Sequence, residues 1–185
     1  MEASTQLPRG LINSPALLSL YDDAHIDSLS PECDPREYQT VHLLEAIFNK
    51  VLFQNHETVF VNSQVPPHSQ SDLKCDLAVK YVTEQSSKPK LLCFVECKRA
   101  KKTERYDLKK VERQAREYCD EFFSDRSNLS VQFIYVCTAV GAHMRLWKCS
   151  RGDLEGSLDP LWGAAIGASW KDYKDVGKNA DEGFQ

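Results

Sequence analysis

Apolar residues follow two different periods along this chain. In two stretches they recur every three or four residues, which predicts amphipathic helices. Elsewhere they alternate with polar residues or run together, which predicts β-strands. The predicted strands cover residues 57–61, 76–82, 91–98, 131–138 and 144–148. The strands at 91–98 and 131–138 are almost continuously apolar, which indicates central strands buried on both faces.

The first predicted helix starts near residue 34. Asp34 is a suitable N-cap, Pro35 occupies the first turn, and Glu37 follows the cap at the spacing of a capping box. The second predicted helix has an apolar stripe whose residues are spaced three or four apart: Leu108, Val111, Ala115, Tyr118 and Phe122. Both helices are therefore expected to pack one face against a core.

The order of these elements predicts the fold class. The chain reads helix, three-stranded meander, helix, two strands. This order predicts an α/β fold with a central mixed sheet of about five strands flanked by helices. Because the second helix is a crossover, strands 91–98 and 131–138 are expected to be parallel neighbours.

Three regions of the chain differ in pattern. Residues 1–33 are predicted to form an irregular N-terminal segment, in which Ser14 and Pro15 open a short helix. Residues 34–168 form the predicted α/β domain. Residues 169–185 are predicted to be a polar C-terminal tail that is loose or bound to the surface. A chain of 185 residues is long enough for one domain with a substantial core.

The predicted strand at 91–98 ends in two opposite charges. If its side chains alternate, Leu92, Phe94, Glu96 and Lys98 share one face. Burying a carboxylate and an ammonium group at the tip of a core strand costs free energy unless the charges pair or bind something. A structural ion pair and a ligand site are both open interpretations of this pattern.

Asp76 gives this charged tip a neighbour. It opens the preceding strand, and a hairpin-length turn joins the two strands. In an antiparallel pair the start of one strand lies opposite the end of the next, so Asp76 and Glu96 are expected to converge beside Lys98. Two carboxylates suit a hard divalent cation, Mg²⁺ or Mn²⁺, and the backbone carbonyl of Cys97 is a natural further ligand. Metal-assisted phosphodiester hydrolysis uses such a set of groups.

Composition limits the compartment and the partners. The seven cysteines are odd in number and include no Cys-x-x-Cys, which indicates reduced thiols in an intracellular protein of the cytoplasm or nucleus. Neither a secretory signal nor a membrane-spanning run is visible, so no membrane partner is expected. The five histidines are scattered along the sequence and do not have the spacing of zinc ligands. A net charge of −4 argues against holding nucleic acid by bulk charge alone but leaves room for a local basic groove.

Asp76 and the run Glu96-Cys97-Lys98, followed by a helix, resemble the PD-(D/E)xK nuclease superfamily. The resemblance covers about residues 34–148. It implies the restriction-endonuclease-like sandwich of that superfamily, whose order of helix, meander, helix and strand agrees with the order predicted above.

Gln114 and Tyr118 match the Gln-x-x-x-Tyr motif of the RecB-like branch of this superfamily. In that branch the two residues would support the site or touch the substrate backbone, although Tyr118 also fits a plain core position. Residues 139–147 are similar to uncharacterised fungal proteins of the superfamily. Cys75 departs from the proline that often stands at this position.

The resemblance implies a metal-dependent nuclease that acts on DNA or RNA. Asp76 and Glu96 would hold Mg²⁺ or Mn²⁺ together with the Cys97 carbonyl, and Lys98 would assist the attacking water. Glu45 on the first helix is similar in placement to a carboxylate that completes the metal shell in part of the family. The alternative for Glu45 is a boundary residue that points to solvent.

A run of basic residues follows the Glu-x-Lys strand and continues onto the next helix. It is a solvated turn or a patch that contacts phosphates. A nuclear-import signal is a third interpretation, which the position of the run directly after the core strand disfavours. With Tyr118, the candidate nucleic-acid-binding residues are Arg99, Lys101, Lys102, Lys109, Lys110 and Arg113.

Two other functions are consistent with the sequence. A nuclease fold whose catalysis has lapsed would bind nucleic acid or a protein partner without cleavage. A pure protein-interaction domain would use the fold as a scaffold, and a homodimer is open in each case. The sequence does not distinguish DNA from RNA or endonuclease from exonuclease.

Overall fold

The computed structural model of the protein describes residues 10–25, 35–100, 108–153, 158–164 and 169–178. Within these ranges the helices are α1 (Pro15–Ala24), α2 (Glu37–Ile47) and α3 (Leu108–Ser124). The strands are β1 (Val59–Val65), β2 (Cys75–Thr83), β3 (Ser86–Lys98), β4 (Phe133–Val140), β5 (His143–Ser150), β6 (Asp159–Pro160) and β7 (Lys174–Asp175). None of the described helices has both the length and the apolar composition needed to cross a bilayer.

The seven strands of the described ranges form one mixed sheet. Its order is β1-β2-β3-β4-β5-β6, and β7 also pairs with β5. β3 and β4 are parallel, with Val95 opposite Cys137, while the other pairs are antiparallel. The α/β class, the mixed sheet and the predicted parallel crossover through α3 are therefore confirmed. The five long strands correspond to those predicted, although β1 continues to Val65 and β3 begins at Ser86, within the predicted turn. The two additional strands have two residues each.

The sheet has a core on each face. On one face α1 and α2 pack on apolar side chains of β2, β3 and β4, such as Val79 and Val95. On the other face α3 packs on Phe94, Val136 and Trp147. Adjacent residues of β3 thus enter different cores, which is the pattern of a central strand.

The predicted alternation of β3 fails at one position. Leu92 packs with the α1 and α2 core, on the opposite side from Phe94. The pairing of β2 with β3 shifts between Val79 and Lys80, which lie opposite Cys93 and Leu91. An irregularity of this kind inserts one residue and reverses the side-chain direction before it.

α2 begins at a different cap from the one predicted. Its first residue is Glu37, and the backbone N–H of the N-cap residue Arg36 donates to Oε1 of Gln39. Gln39 therefore reaches back to the helix start, as in a capping box. The predicted cap, Asp34, lies outside the described residues.

Parts of both terminal regions pack into the main core. The predicted helix at Ser14 is confirmed, and the Ser14 hydroxyl accepts a hydrogen bond from the backbone N–H of Leu17 at 3.3 Å. Leu17 and Val176 are both buried in the α1 and α2 core. The backbone N–H of Leu11 donates to the Val176 carbonyl at 2.8 Å. Residues 173–176 are thus a packed part of the domain, in contrast to the loose polar tail expected from the sequence.

The described cysteines are all free and buried. Burial raises the pKa of the Cys137 thiol to about 12, so it is protonated at neutral pH. The set consists of Cys75, Cys93, Cys97, Cys119, Cys137 and Cys149.

Gly141 in the β4–β5 turn is a packing constraint that can be tested. Its φ is +57°, and an added Cβ would lie 2.7 Å from the Ala100 Cβ and 2.8 Å from the Ala24 carbonyl oxygen. Gly152 is the matched control, because its φ is +78° but no described atom lies within 4 Å of an added Cβ. We expect Gly152→Ala to cost about 1 kcal/mol of unfolding free energy from the left-handed backbone. Gly141→Ala should cost about 1–3 kcal/mol more because it overpacks the turn.

Urea denaturation of the two variants and the wild type measures these costs. Equal midpoints for Gly141→Ala and Gly152→Ala would show that the close approach of the turn to Ala24 and Ala100 is absent in solution.

Candidate active site

The entry of β2 and the end of β3 meet at one edge of the sheet. Leu77 of β2 pairs with Val95 of β3, so Asp76 and Glu96 are the next residues along each strand. Oδ2 of Asp76 accepts a hydrogen bond of 2.7 Å from the backbone N–H of Cys97. The predicted convergence of the two acidic positions is therefore present, and Asp76 is held by the backbone of the strand that carries Glu96.

Lys98 joins this group by two ion pairs. Its Nζ lies 2.5 Å from Oε1 of Glu96 and 3.6 Å from Oε1 of Glu37. The Glu96 side chain is 2% exposed and the Lys98 side chain 14% exposed, whereas the Glu37 side chain is 47% exposed. The inner pair is thus screened from water, and the pair with Glu37 faces solvent.

Burial shifts the pKa of both inner carboxyls. The pKa of Glu96 is raised chiefly by desolvation, with the Asp76 charge adding to it and the Lys98 hydrogen bond opposing it. Desolvation likewise raises the pKa of Asp76, against the Cys97 hydrogen bond and the Lys98 charge. Burial lowers the pKa of Lys98, but the Glu96 hydrogen bond and the charges of Glu96, Glu37 and Asp76 outweigh it and the net shift is upward. The site therefore favours positive charge beside its carboxylates.

α3 contributes the two residues of the predicted Gln-x-x-x-Tyr motif. Tyr118 is buried against Phe94, and its hydroxyl donates to the Lys74 carbonyl at 3.1 Å. The nearby Tyr118 hydroxyl also lowers the pKa of Glu96, so the hydroxyl lies beside that carboxylate. In this position Tyr118 supports the site from within the core and offers no surface to nucleic acid.

Gln114 lies one turn before Tyr118 on the same face of α3. Its Oε1 atom is buried and has no hydrogen-bond partner among the described residues. A buried acceptor without a partner costs free energy. Such a cost is common at positions that bind a further group.

The helical carboxylate nearest the site is Glu37, which sequence reasoning treated only as part of a capping box. The predicted candidate, Glu45, is partly buried two turns further along α2, about 12 Å away at 1.5 Å per residue. The Thr40 hydroxyl donates to the Lys98 carbonyl at 3.1 Å, which fixes the first turns of α2 at the end of β3. The structure therefore brings Glu37, not Glu45, to Lys98. The only signal in the sequence was the position of Glu37 at the start of this helix.

A second polar group continues the site across the sheet. Thr138 of β4 lies in register with Glu96 on one side and with Arg145 of β5 on the other. Thr138 accepts from Nε1 of Trp147 at 2.8 Å and lies 2.9 Å from the Tyr173 hydroxyl. This group was not predicted, because each of its members lies within an otherwise apolar strand or in the C-terminal region.

Arg145 is fully buried within this second group. Its guanidinium donates to the carbonyls of Trp162 and Ala164 at 3.2 and 2.7 Å, and lies 3.6 Å from Oδ2 of Asp172. Its Cζ also lies 4.0 Å above the Trp147 ring. Arg145 therefore fastens residues 158–164 and 169–178 to the sheet.

The basic candidates that the structure describes have exposed side chains. Arg99 is exposed and follows Lys98, and Lys109, Lys110 and Arg113 are exposed on α3. Arg113 lies 3.9 Å from Glu117 in an ion pair whose two side chains are 70% and 53% exposed, which contributes little to stability. Lys101 and Lys102 lie outside the described residues.

The donor set can be compared with the needs of a metal ion. Within the described ranges, no group of three or more His, Cys, Asp or Glu side chains is arranged to hold a metal. Mg²⁺, however, is usually bound through one or two carboxylates with water and substrate oxygens completing its shell. The two adjacent carboxyls of Asp76 and Glu96, both with raised pKa, fit that kind of site and do not form an all-protein cage.

Comparison with known proteins finds no relatives. No family model, no curated protein and no solved structure matches this chain.

The raised pKa of Asp76 predicts how stability depends on pH. The folded protein keeps the Asp76 proton to higher pH than the unfolded chain, whose carboxyl titrates near 4. The carboxyl therefore contributes most to stability in acid, and this contribution is lost as pH rises through the folded pKa. Asp76→Asn removes the titration but keeps an oxygen that can accept from the Cys97 N–H. We expect it to be at least as stable as the wild type at pH 7 and relatively less stable near pH 4.

Asp76→Ala is the matched control, because it also removes the acceptor and leaves the Cys97 N–H without its partner. It should cost about 1–3 kcal/mol at pH 7. Urea midpoints of the three proteins from pH 4 to pH 8 provide the measurement. A clearly destabilised Asn variant at pH 7 would show that the Asp76 charge stabilises the fold.

Proposed function

We propose that this protein is a metal-dependent nuclease that hydrolyses phosphodiester bonds of DNA or RNA. The observation that supports this most is the convergence of Asp76, Glu96 and Lys98 at the buried end of a central strand. A structural ion pair would need only Glu96 and Lys98. A second carboxyl beside them repels Glu96 and raises its pKa, an electrostatic cost that the Glu96–Lys98 ion pair alone would not carry.

The residues have separate roles in this proposal. Asp76 and Glu96, with the Cys97 carbonyl, would hold Mg²⁺ or Mn²⁺, and Glu37 would take the role on α2 that the sequence analysis assigned to Glu45. A divalent cation there supplies positive charge for the phosphate and makes a water more acidic. Lys98 orients the attacking water and neutralises charge that develops on the phosphate.

α3 completes the site. The Tyr118 hydroxyl stabilises the Glu96 carboxylate, and the buried Gln114 Oε1 is an acceptor for a water or a substrate group. The order of helix, meander, crossover helix and parallel strand supports a restriction-endonuclease-like sandwich, and with it the PD-(D/E)xK superfamily and its RecB-like branch. We place the activity in the cytoplasm or nucleus, where the buried free thiols would stay reduced.

Lys98→Ala is the central test of this function. We expect cleavage of single- and double-stranded DNA and RNA in Mg²⁺ or Mn²⁺ to fall by about 100-fold or more, because Lys98 is the side chain assigned to orient the attacking water and to neutralise charge on the reacting phosphate. Lys90→Ala is the matched control, because it changes an exposed lysine of the same strand away from the site. Initial rates on labelled oligonucleotides measure both.

Cleavage that is equal in the wild type and Lys98→Ala would refute the role of Lys98. Glu96→Gln should abolish cleavage and weaken Mn²⁺ binding measured by calorimetry. A contaminating nuclease would be unaffected by either change.

The basic residues of α3 make a separate prediction about binding. If Lys109 and Arg113 contact phosphates, Lys109→Ala and Arg113→Ala should each weaken binding to all sequences alike. The slope of log affinity against log salt should fall by about 1 for each variant. Fluorescence anisotropy of a labelled oligonucleotide with Ca²⁺ in place of Mg²⁺ measures this without cleavage. An unchanged salt slope would mean that α3 presents a solvated face and no phosphate contacts.

A second candidate is a nuclease fold that binds without cleaving. The observation that favours it is the pairing of Lys98 with both Glu96 and Glu37, which leaves the lysine neutralised on two sides. This candidate predicts oligonucleotide or protein binding that survives chelation and Glu96→Gln. Metal binding that is lost in Glu96→Gln would count against it.

A further inference from the structure

Asp175 lies in the same cross-sheet row as Lys98. Lys98 of β3 pairs with Val140 of β4, Val140 pairs with His143 of β5, and His143 pairs with Asp175 of β7. The row thus leads from the candidate active site to the C-terminal strand.

The Asp175 carboxylate collects contacts from three parts of the chain. The Tyr21 hydroxyl of α1 lies 3.0 and 3.1 Å from its two oxygens, and the backbone N–H of Gly177 donates to Oδ1 at 2.9 Å. Nε2 of His25 lies 3.7 Å from Oδ2, and Nε2 of His143 lies 3.9 Å from the same oxygen. Two imidazoles therefore converge on one carboxylate oxygen at ion-pair distance.

These contacts hold three separate segments together. His25 caps the end of α1, His143 opens β5, and Asp175 belongs to the C-terminal strand. The backbone adds the β5–β7 pairing, the bond from the Leu11 N–H to the Val176 carbonyl, and the bond from the Val176 N–H to the Ala142 carbonyl at 3.0 Å. The charged cluster thus acts together with this pairing, with the Arg145–Asp172 ion pair and with the buried Val176 in holding the C-terminal strand.

The charge of this cluster changes with protonation. Around His143 the charged or titratable groups are Asp175 on β7, His25 at the end of α1 and Lys178 after β7. A proton on His143 places a buried positive charge beside Asp175, which favours it, and close to His25 and Lys178, which oppose it.

We propose that His25, Asp175 and His143 form a proton-sensitive latch, which holds the C-terminal strand on β5 at neutral pH and releases it in mild acid. The occupant of the latch is the chain's own segment 169–178. The proposal does not rest on the nuclease function.

The sign of the effect follows from the environment of His143. Burial lowers its pKa, the Asp175 charge opposes this, and His25 and Lys178 add to the lowering. The folded protein therefore resists protonation that the unfolded chain accepts near pH 6.5. The stability contributed by neutral His143 is complete above that value and is lost as pH falls below it.

Release of the latch would reach the candidate active site through the β4–β5 turn. The Val176 N–H binds the Ala142 carbonyl on one side of this turn. On the other side the Gly141 N–H donates to the Lys98 carbonyl at 2.9 Å. A loosened C-terminal strand thus removes a restraint from the turn that holds the backbone of Lys98.

His143→Gln tests the latch, with His56→Gln as the control at an exposed histidine outside the cluster. Between pH 7.5 and 5.5 the Tm of the full-length wild type should fall by about 2–4 °C more than that of His143→Gln. His56→Gln should behave as the wild type does. The emission of Trp170, whose ring lies 4.9 Å from the His143 ring, should show the same acid transition. Trp170→Phe identifies its share of the signal.

The proposal is overturned if His143→Gln retains the full acid shift in both Tm and emission, or if His56→Gln removes it. Should His143→Gln fail to fold, His25→Gln carries the same test, because the His25 side chain is more exposed, at 29%. Neither readout uses cleavage, so the result stands whatever the outcome for the nuclease.

Discussion

The burial of charge at the end of β3 is the constraint on which the rest of the structure depends. β3 pairs with β2 on one side and β4 on the other, and helices cover both faces. Glu96 and Lys98 therefore cannot turn to water without unpairing the central strand. The Lys98 charge is balanced by Glu96, by Asp76 at the strand edge and by Glu37 from α2, and Tyr118 from α3 favours the charged form of Glu96. The requirement to pair the charges buried at the end of β3 thus brings together residues that are distant in sequence.

The compensation is incomplete, and this separates the site from an ordinary ion pair. Both carboxyls keep a raised pKa although a lysine and several hydrogen bonds are present. The Gln114 amide oxygen is buried without a partner in the described chain. A core selected for stability alone would replace such groups with apolar side chains. Buried charges and unpaired polar atoms that lower the stability of the fold are typical of functional sites.

The sequence was sufficient to predict a helix or strand wherever the buried residues recur at a regular interval. β1 to β5, α2 and α3 were predicted because their apolar residues repeat along the chain, and the Asp76–Glu96 convergence followed from antiparallel geometry. The helix at Ser14 was predicted, but the packing of both terminal regions into the core was missed, because single apolar residues such as Leu17 and Val176 are buried by contacts with distant segments. Glu45 was preferred to Glu37 for a related reason. Which turn of a helix reaches a strand end depends on tertiary contacts such as that of Thr40 with Lys98, which no local pattern reports.

The parallel pairing of β3 and β4 explains why the Gln-x-x-x-Tyr motif on α3 follows the Glu-x-Lys motif of β3 so closely in sequence. A right-handed crossover must return the chain over the face that carries Phe94 and Glu96, so the connecting helix lies on that face. Tyr118 then packs on Phe94, with its hydroxyl beside Glu96, because the apolar stripe of α3 fixes the rotation of the helix. The parallel crossover from β3 through α3 to β4 therefore brings the Glu96 carboxylate and the Tyr118 hydroxyl together. A chain with antiparallel neighbours at this position would need a different element to support Glu96.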